Sequence, residues 1–367
     1  MAHGVSDIRT FTLIGHGDTG KTALVDAMSF LAKTTPRHGQ VADGSSVSNS
    51  EPEEKEKKHT LSSHLFHLTW KGKFVQIIDT PGHPDFLADT ISSLYAVETA
   101  VVHVSAATGL TFHARRLVGE AERAGIARAI VVTKCDQENT DFGKLVESLV
   151  AVYGDRVVPV TYPDANGAGF TKVFSVLGPD KGPKATAYRS ALEERVAEVD
   201  DKLMEHYFEA GTLTDAELTE YVPRAMAAGK LIPVFTVNGP RETGVAEFLD
   251  MVAAYFPTPR HGAPRKAKDL ADKDIEILPD ENGPLCGLVF KVVVDPFVGR
   301  LSYVRILRGA ITEETHSVWI ARLKKAEKSG GIFLVQGKDA SHHLPKASVG
   351  EIVNVAALTA YESQRKR

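Results

Sequence analysis

The chain has 367 residues, 43% of them hydrophobic and 25% charged, and a formal net charge of -4; this implies two or three soluble globular domains and leaves no global basic field to recruit nucleic acid. Its two cysteines, Cys135 and Cys286, stand far apart without metal-ligand spacing, which excludes a disulfide framework and fits a reducing compartment. The first residues lack the layout of a secretion signal and no apolar run approaches the ~18 residues of a membrane span, so the cytoplasm is expected, with neither membrane nor DNA as partner.

Thr10 to Ile14 is a short β-rich apolar run, and Ala23 to Met28 carries helical apolar spacing. Between them, Gly15-His16-Gly17-Asp18-Thr19-Gly20-Lys21-Thr22 fits the pattern of Gly, four free positions, Gly, Lys and Ser or Thr. Strand, loop and helix in that order let successive backbone N–H groups turn toward one anion, with the positive end of the helix dipole behind them. Lys21 then reaches the β and γ phosphates of a nucleotide, and the Thr22 hydroxyl ligates its magnesium ion. The alternative is a glycine-rich turn that holds no phosphate.

Lys33 to Ser50 is polar and leads into the charged run Glu51 to Lys58. Such a stretch buries too little surface to hold itself in place, so it is expected to be mobile unless a ligand orders it. Leu61 to Trp70 and Lys73 to Asp79 are β-rich and flank a Lys71-Gly72 turn, a predicted hairpin. The second run ends at Asp79-Thr80-Pro81-Gly82-His83, before a helix that Pro84 can start. At a strand end facing a phosphate loop, Asp79 is placed to hold magnesium through water, and Gly82 to offer its N–H to a γ phosphate.

A strand over Ala100 to Val104, a helix over Ala114 to Ala124 and a strand over Ala127 to Val132 follow, ending in Thr133-Lys134-Cys135-Asp136. A Lys two residues before an Asp at a strand end suits guanine. The carboxylate accepts from N1–H and the exocyclic amine, which adenine does not present together, while the lysine stem covers the base plane. A loop salt bridge would explain these four residues in isolation. Alternating strands and helices up to about Tyr255 predict a mainly parallel sheet with helices on both faces. A Pro- and charge-rich linker over Thr258 to Gly283 precedes β-rich runs at Leu288 to Val294, Ser302 to Leu307, Ser317 to Leu323, Gly331 to Val335 and Ile352 to Leu358, an all-β barrel pattern.

Taken together, Gly15 to Thr22, Thr60, Asp79 to His83 and Thr133 to Asp136 resemble the G domain of translational GTPases, above all bacterial elongation factor G and its divergent elongation factor G-like paralogues. Ala187 to Tyr207, with a helix over Asp215 to Ala228, resembles the insertion that family carries in its G domain. Pro233 to Phe235, Gly244-Val245 and Tyr255 to Pro259 resemble that domain's last strand and helix. Pro284-Leu285 through Val294 and on through Pro296-Phe297-Val298 to Leu301 resembles the opening of its β-barrel second domain. The resemblance implies an α/β P-loop GTPase domain over 1–259, with an inserted subdomain at about 162–230. A linker over 260–283, an all-β barrel domain over 284–362 and a basic tail over 363–367 complete it.

The same resemblance implies a GTP/GDP site built from Gly15, His16, Gly17, Asp18, Thr19, Gly20, Lys21, Thr22, Ala23, Asp79, Gly82, Thr133, Lys134 and Asp136. Val237-Asn238-Gly239 stand where the family has Gly-Ser-Ala against the guanine oxygen. Magnesium would be held by Thr22, Thr60 and Asp79, and Asp18 matches an acidic position associated with a monovalent cation. Thr60 falls on the switch threonine, so the polar stretch before it becomes a segment ordered by GTP and released on hydrolysis. Lys21, Thr60 and His83 are the implied catalytic residues, His83 as the group that positions the attacking water. His16, Thr19 and Cys135 occupy variable or supporting positions, and the remaining histidines are expected to be solvated or packed.

Several positions depart from the family pattern. Thr133 replaces an Asn and is expected to lose an amide bond to the phosphate loop; Gly17 and His59 stand where two apolar side chains form a gate near the catalytic histidine. No arginine is placed as a finger in cis, so slow intrinsic turnover is expected, accelerated by the ribosome. The partners implied are large-subunit RNA and stalk proteins, met by the G domain and the second domain of a monomer. Elongation factor G continues into further domains, so this chain reads as a fragment or a short relative. The rivals are a nucleotide-gated ribosome-binding protein with negligible hydrolysis and an ATP-using P-loop enzyme in which Asp136 has no role.

Overall fold

The computed structural model describes residues 3–49, 51–269, 273–295, 299–337, 339–356 and 358. The basic tail over 363–367 and Pro296-Phe297-Val298 lie outside the described residues. The chain divides into two compact units, Arg9–Pro257 and the combination of Met1–Ile8 with Thr258–Arg367.

The larger unit opens with β1 (Ile8–Gly15), α1 (Lys21–Leu31), α2 (Pro52–Lys57), β2 (His64–Trp70), β3 (Lys73–Asp79) and α3 (Leu87–Leu94). It continues through β4 (Thr99–Ser105), α4 (Phe112–Arg123), β5 (Ala127–Thr133), α5 (Phe142–Tyr153) and β6 (Val157–Pro159). A small antiparallel pair, β7 (Thr161–Pro163) and β8 (Val173–Ser175), precedes α6 (Ala185–Ala197), α7 (Asp201–Ala210) and α8 (Asp215–Ala227), after which β9 (Ile232–Thr236) and α9 (Val245–Tyr255) close the unit.

The strands form one sheet in the order β2-β3-β1-β4-β5-β9-β6. β1 with β4, β4 with β5, β5 with β9 and β9 with β6 are parallel, and the β2–β3 hairpin adds an antiparallel edge. β1, β4 and β5 are buried along their full length, as expected of strands covered on both faces. Phe11 of β1, Phe235 of β9 and Phe248 of α9 meet edge to face, with centroids 6.0 Å apart for Phe11–Phe248 and 5.2 Å for Phe235–Phe248, contacts worth about 0.5–1.5 kcal/mol each beyond their buried area. In the parallel register Gly15 faces His103 and Ser105 faces Thr133. The loops leaving β1, β4 and β5 therefore emerge at one carboxyl edge of the sheet, where open α/β sheets bind ligands.

One boundary in this unit changes. β2 starts at His64 and not at Leu61, because the N–H groups of Leu61, Ser62 and Ser63 are taken by the side chains of Glu54 and Asp89 and not by a strand ladder. The polar stretch before β2 makes contacts with other elements. Its Val47 N–H donates to Asp26 Oδ1 at 2.9 Å, its Ser48 hydroxyl donates to Asp79 Oδ2 at 2.6 Å, and Glu51 and Glu54 close a capping box on α2.

In the second unit, the stretch expected as linker contains an antiparallel pair, β10 (Arg265–Lys268) and β11 (Asp274–Ile277). β12 (Cys286–Asp295), β13 (Gly299–Arg308), β14 (Ala310–Thr312), β15 (Ser317–Ile320), β16 (Lys325–Lys328), β17 (Ile332–Gln336), β18 (Asp339–Leu344), β19 (Lys346–Ser348) and β20 (Ile352–Ala356) follow. The main sheet runs β12-β13-β20-β17-β18, with every pair antiparallel, and β14–β19 and β15–β16 stand as separate pairs. Ile306, Ile332, Val353 and Val355 lie in its core together with Val5 from the first residues of the chain. None of the described helices is long and apolar enough to cross a membrane.

Candidate nucleotide site

α1, like α3, α6 and α9, begins without a side-chain cap. Thr111, Asp141, Asp200 and Thr214 cap α4, α5, α7 and α8 with side-chain oxygens. α1 follows Gly20 with no side-chain cap, which leaves first-turn N–H groups directed into the loop before it. That is the setting in which a helix end binds an anion.

Lys21, the first residue of α1, is buried, and its ammonium donates to the carbonyls of Gly15 at 3.1 Å and His16 at 2.8 Å. Burial pushes it down to about 8, against the attraction of Asp79 and Asp18. Across the loop Asp79 is fully buried, and burial raises its carboxyl although the Ser48 hydroxyl, Lys21 and the Thr22 hydroxyl favour the ionised form. Oδ2 accepts from Thr22 at 2.8 Å and Ser48 at 2.6 Å, while Oδ1 is buried with no hydrogen-bond partner among the described residues. Thr60 completes the cluster, its hydroxyl 3.0 Å from that of Thr22 and donating to Asn49 Oδ1 at 3.1 Å.

A buried cation held by two backbone carbonyls and a buried carboxylate with one unpartnered oxygen thus belong to one site. A phosphate would satisfy Lys21, and a hard cation would satisfy Asp79 and the two threonine hydroxyls, which are oxygen donors of the kind magnesium takes. Among the described residues no group of three His, Cys, Asp or Glu could hold a metal alone, so the remaining ligands would come from phosphate oxygens and water. The residues fit magnesium brought in with a nucleotide.

Gly82 lies directly against this loop. A Cβ built on it would stand 2.6 Å from both Gly17 N and Lys21 Nζ, so no side chain fits there. His83, the next residue, has its side chain 58% exposed; its Nδ1 accepts from Asp85 N–H at 3.4 Å, capping the short turn Pro84–Phe86 that precedes α3. The structure therefore brings Gly82 to the phosphate loop and turns the imidazole of His83 outward. His16 and Asp18 are exposed at the rim, Asp18 with φ 57°. His16 lies edge-on to His113, 6.1 Å between ring centres.

At the far end, the Thr133 hydroxyl donates to Thr19 O at 2.9 Å. The link expected to be lost with the replaced amide is supplied by this shorter side chain instead. Lys134 adopts φ 59°, and Asp136 Oδ2 lies 3.6 Å from the Arg241 guanidinium. Val237 is buried, and Asn238 Oδ1 accepts from Arg241 N–H at 3.2 Å. A Cβ on Gly239 would meet Ala23 O at 2.8 Å, so this loop rests on the first turn of α1 beside Ala23. Cys135 is buried, and burial and the Asp136 charge push its thiol up to about 12, which removes it from thiolate chemistry. The Thr19 hydroxyl donates to His16 O at 2.8 Å and holds the loop's shape.

The model of the elongation factor Tu GTP binding domain matches residues 6–258. The chain belongs to that family. Relatives in it include an elongation factor G 2 from Syntrophomonas wolfei, 28% identical over 84% of this chain and 48% of its own. An elongation factor G from Dehalococcoides mccartyi is 30% identical over 94% of this chain and 53% of its own. A crystal structure of a protein from Thermus thermophilus superposes with a TM-score of 0.82 at 27% identity, covering 97% of this chain and 53% of that one. The resemblance to elongation factor G-type translational GTPases stands, and the chain spans about half the length of the curated relatives it matches.

Within this GTP-binding-domain framework, several site residues have no motif to announce them. Ser48 and Asn49 reach the Asp79–Thr60 cluster from the polar stretch. His103, fully buried, holds Nδ1 3.4 Å from Thr19 O beneath the phosphate loop; burial and the Lys21 charge push it down to about 3, so it is a neutral packed ring. Glu54 is buried against His64. The one sequence signal for Glu54 is its spacing, with Pro52 at the first helical position and an acid three residues after Glu51.

Proposed function

We propose that this chain binds GTP and GDP with magnesium and hydrolyses GTP slowly alone and faster on the ribosome. The observation that carries this reading is the buried Lys21 ammonium together with Asp79, whose buried Oδ1 has no partner among the described residues, at the uncapped start of α1. Asp136 and Lys134 would read the guanine. Lys21 and the loop N–H groups would take the charge that spreads over the γ phosphate, while Thr22, Thr60 and Asp79 would hold magnesium, which would supply neutralising charge there. Thr60 would report the terminal phosphate to the segment before it. His83 would have to rotate from Asp85 to orient water, and ribosomal RNA pressed against it is the proposed trigger. The names of its relatives support a ribosomal partner, reached through both units of a cytoplasmic monomer. Asp18 is the candidate for any monovalent cation.

The outward turn of His83 favours one second reading, a nucleotide-gated ribosome ligand that hydrolyses negligibly. GTP turnover with and without ribosomes tests both. The enzyme reading expects strong stimulation in the wild type, and its loss by about a hundredfold in His83→Ala with GDP affinity kept within about twofold. Fast turnover without ribosomes would falsify the dependence, and no stimulated turnover would favour the second reading.

A further inference from the structure

The charged run around α2 is exposed apart from the half-buried Glu51 and one other residue. Glu53, Lys55, Glu56, Lys57 and Lys58 are exposed, whereas Glu54 is completely buried. A carboxylate taken out of water is strongly disfavoured unless hydrogen-bonded donors replace the solvent, and here they do. Oε1 accepts from Leu61 N–H at 2.9 Å, Ser62 N–H at 3.4 Å and His64 Nε2 at 3.0 Å. Oε2 accepts from His64 Nε2 at 3.2 Å and Glu51 N–H at 3.3 Å. Burial alone would raise the carboxyl, but the His64 bond and charge and the N–H groups of Leu61 and Glu51 hold it below the usual range.

These bonds converge on one neighbour. Leu61 follows Thr60, whose side chain is held by Asn49 and lies against Thr22. Glu54 thus fixes the backbone next to Thr60, whose hydroxyl meets that of the Asp79 partner Thr22. Its partner His64 stands opposite Asp79 in the β2–β3 register, so anchor and metal-facing carboxylate share one rigid hairpin. Asp89 secures the far side by accepting from Ser63 N–H at 3.0 Å.

We propose that Glu54, oriented by His64, is the positioning residue that holds Thr60 where it would meet the magnesium-bound terminal phosphate. The inference rests on the guanine-nucleotide reading above. It predicts an effect confined to the triphosphate, because Thr60 has no γ phosphate to meet when GDP is bound.

The test uses the full chain, fluorescent GDP and a fluorescent non-hydrolysable GTP analogue with magnesium, and trypsin cleavage after Lys55, Lys57 and Lys58 without nucleotide. Glu54→Ala is expected to leave GDP affinity within about twofold, weaken the analogue about tenfold or more, and speed cleavage about fivefold. Glu54→Gln keeps one carbonyl oxygen for Leu61 N–H and should fall between; if Glu54→Ala does not fold, it carries the comparison alone. A general loss of stability would lower both affinities together. An unchanged ratio of analogue to GDP affinity, or unchanged cleavage, overturns the proposal. A wild type that binds neither nucleotide sinks the guanine-nucleotide reading itself, whereas the cleavage arm still shows whether Glu54 holds the segment.

Discussion

Lys21→Met should make the nucleotide-free protein more stable while abolishing its ligand. In the folded chain Lys21 titrates at about 8 against an ordinary value of 10.5, and 2.5 pH units correspond to about 3 kcal/mol held against folding. Methionine fills the same buried volume without charge. It forfeits the bonds to Gly15 O and His16 O, about 1 kcal/mol each, which leaves a net gain of about 1–2 kcal/mol. For a unit of this size that is a rise in Tm of roughly 3–6 °C.

The pH dependence carries the sign. Between about 8 and 10.5 the unfolded chain binds more protons at this residue than the folded one, so wild-type stability rises with pH across that window. Below about 8 the cost of the buried charge is present in full, and in Lys21→Met both the cost and the rise disappear. Urea unfolding followed by Trp70 in a Trp319→Phe background, with Trp70 in β2 and its indole N–H on Asp250, reads the larger unit. Saturating GDP and magnesium should then stabilise the wild type, by about 2.7 kcal/mol at a hundred times Kd, and leave Lys21→Met unmoved. A variant at least 1 kcal/mol less stable than wild type without nucleotide, or a wild type with flat stability over that window, would refute the reasoning.

Two further substitutions probe the two ends of the site. Thr133→Ala removes the hydroxyl bond to Thr19 O and should lower stability by about 1 kcal/mol and GDP affinity severalfold, measured by unfolding and by nucleotide titration; an affinity equal to wild type would show that this bond does not shape the loop. Gly82→Ala places a methyl 2.6 Å from Lys21 Nζ. It should disturb binding of the triphosphate more than of GDP, and equal affinities for both in the variant and wild type would contradict the placement of Gly82 beside a γ phosphate.

The parts of the site legible in the sequence are those where chemistry is written in consecutive residues. The loop from Gly15 to Thr22, the turn from Asp79 to His83 and the run from Thr133 to Asp136 each lie at the end of one buried strand. The parallel sheet brings the first and last of these to a single edge, and the Thr22 bond to Asp79 places the second beside them. What remained hidden is held by contacts between distant residues. Glu54 sits in a run of charges that composition assigns to solvent, yet Leu61 N–H and His64 draw it inside. Ser48 looks like any loop serine until its hydroxyl meets Asp79, 31 residues on. For the same reason the stretch before Thr60 reads as mobile: its own apolar content is low, and its partners Asp26, Asp79 and His64 belong to other elements. Residues 265–277 read as linker because charged residues of both signs crowd them, and the β10–β11 pairing there is seen in the register and not in an apolar pattern.

The most direct measurement is calorimetric titration of the folded 367-residue chain with GDP and with ADP in the presence of magnesium. The account predicts one GDP bound per chain, at least about a hundredfold tighter than ADP, because only guanine offers two donors to Asp136. No heat with GDP, or equal binding of ADP, would contradict it.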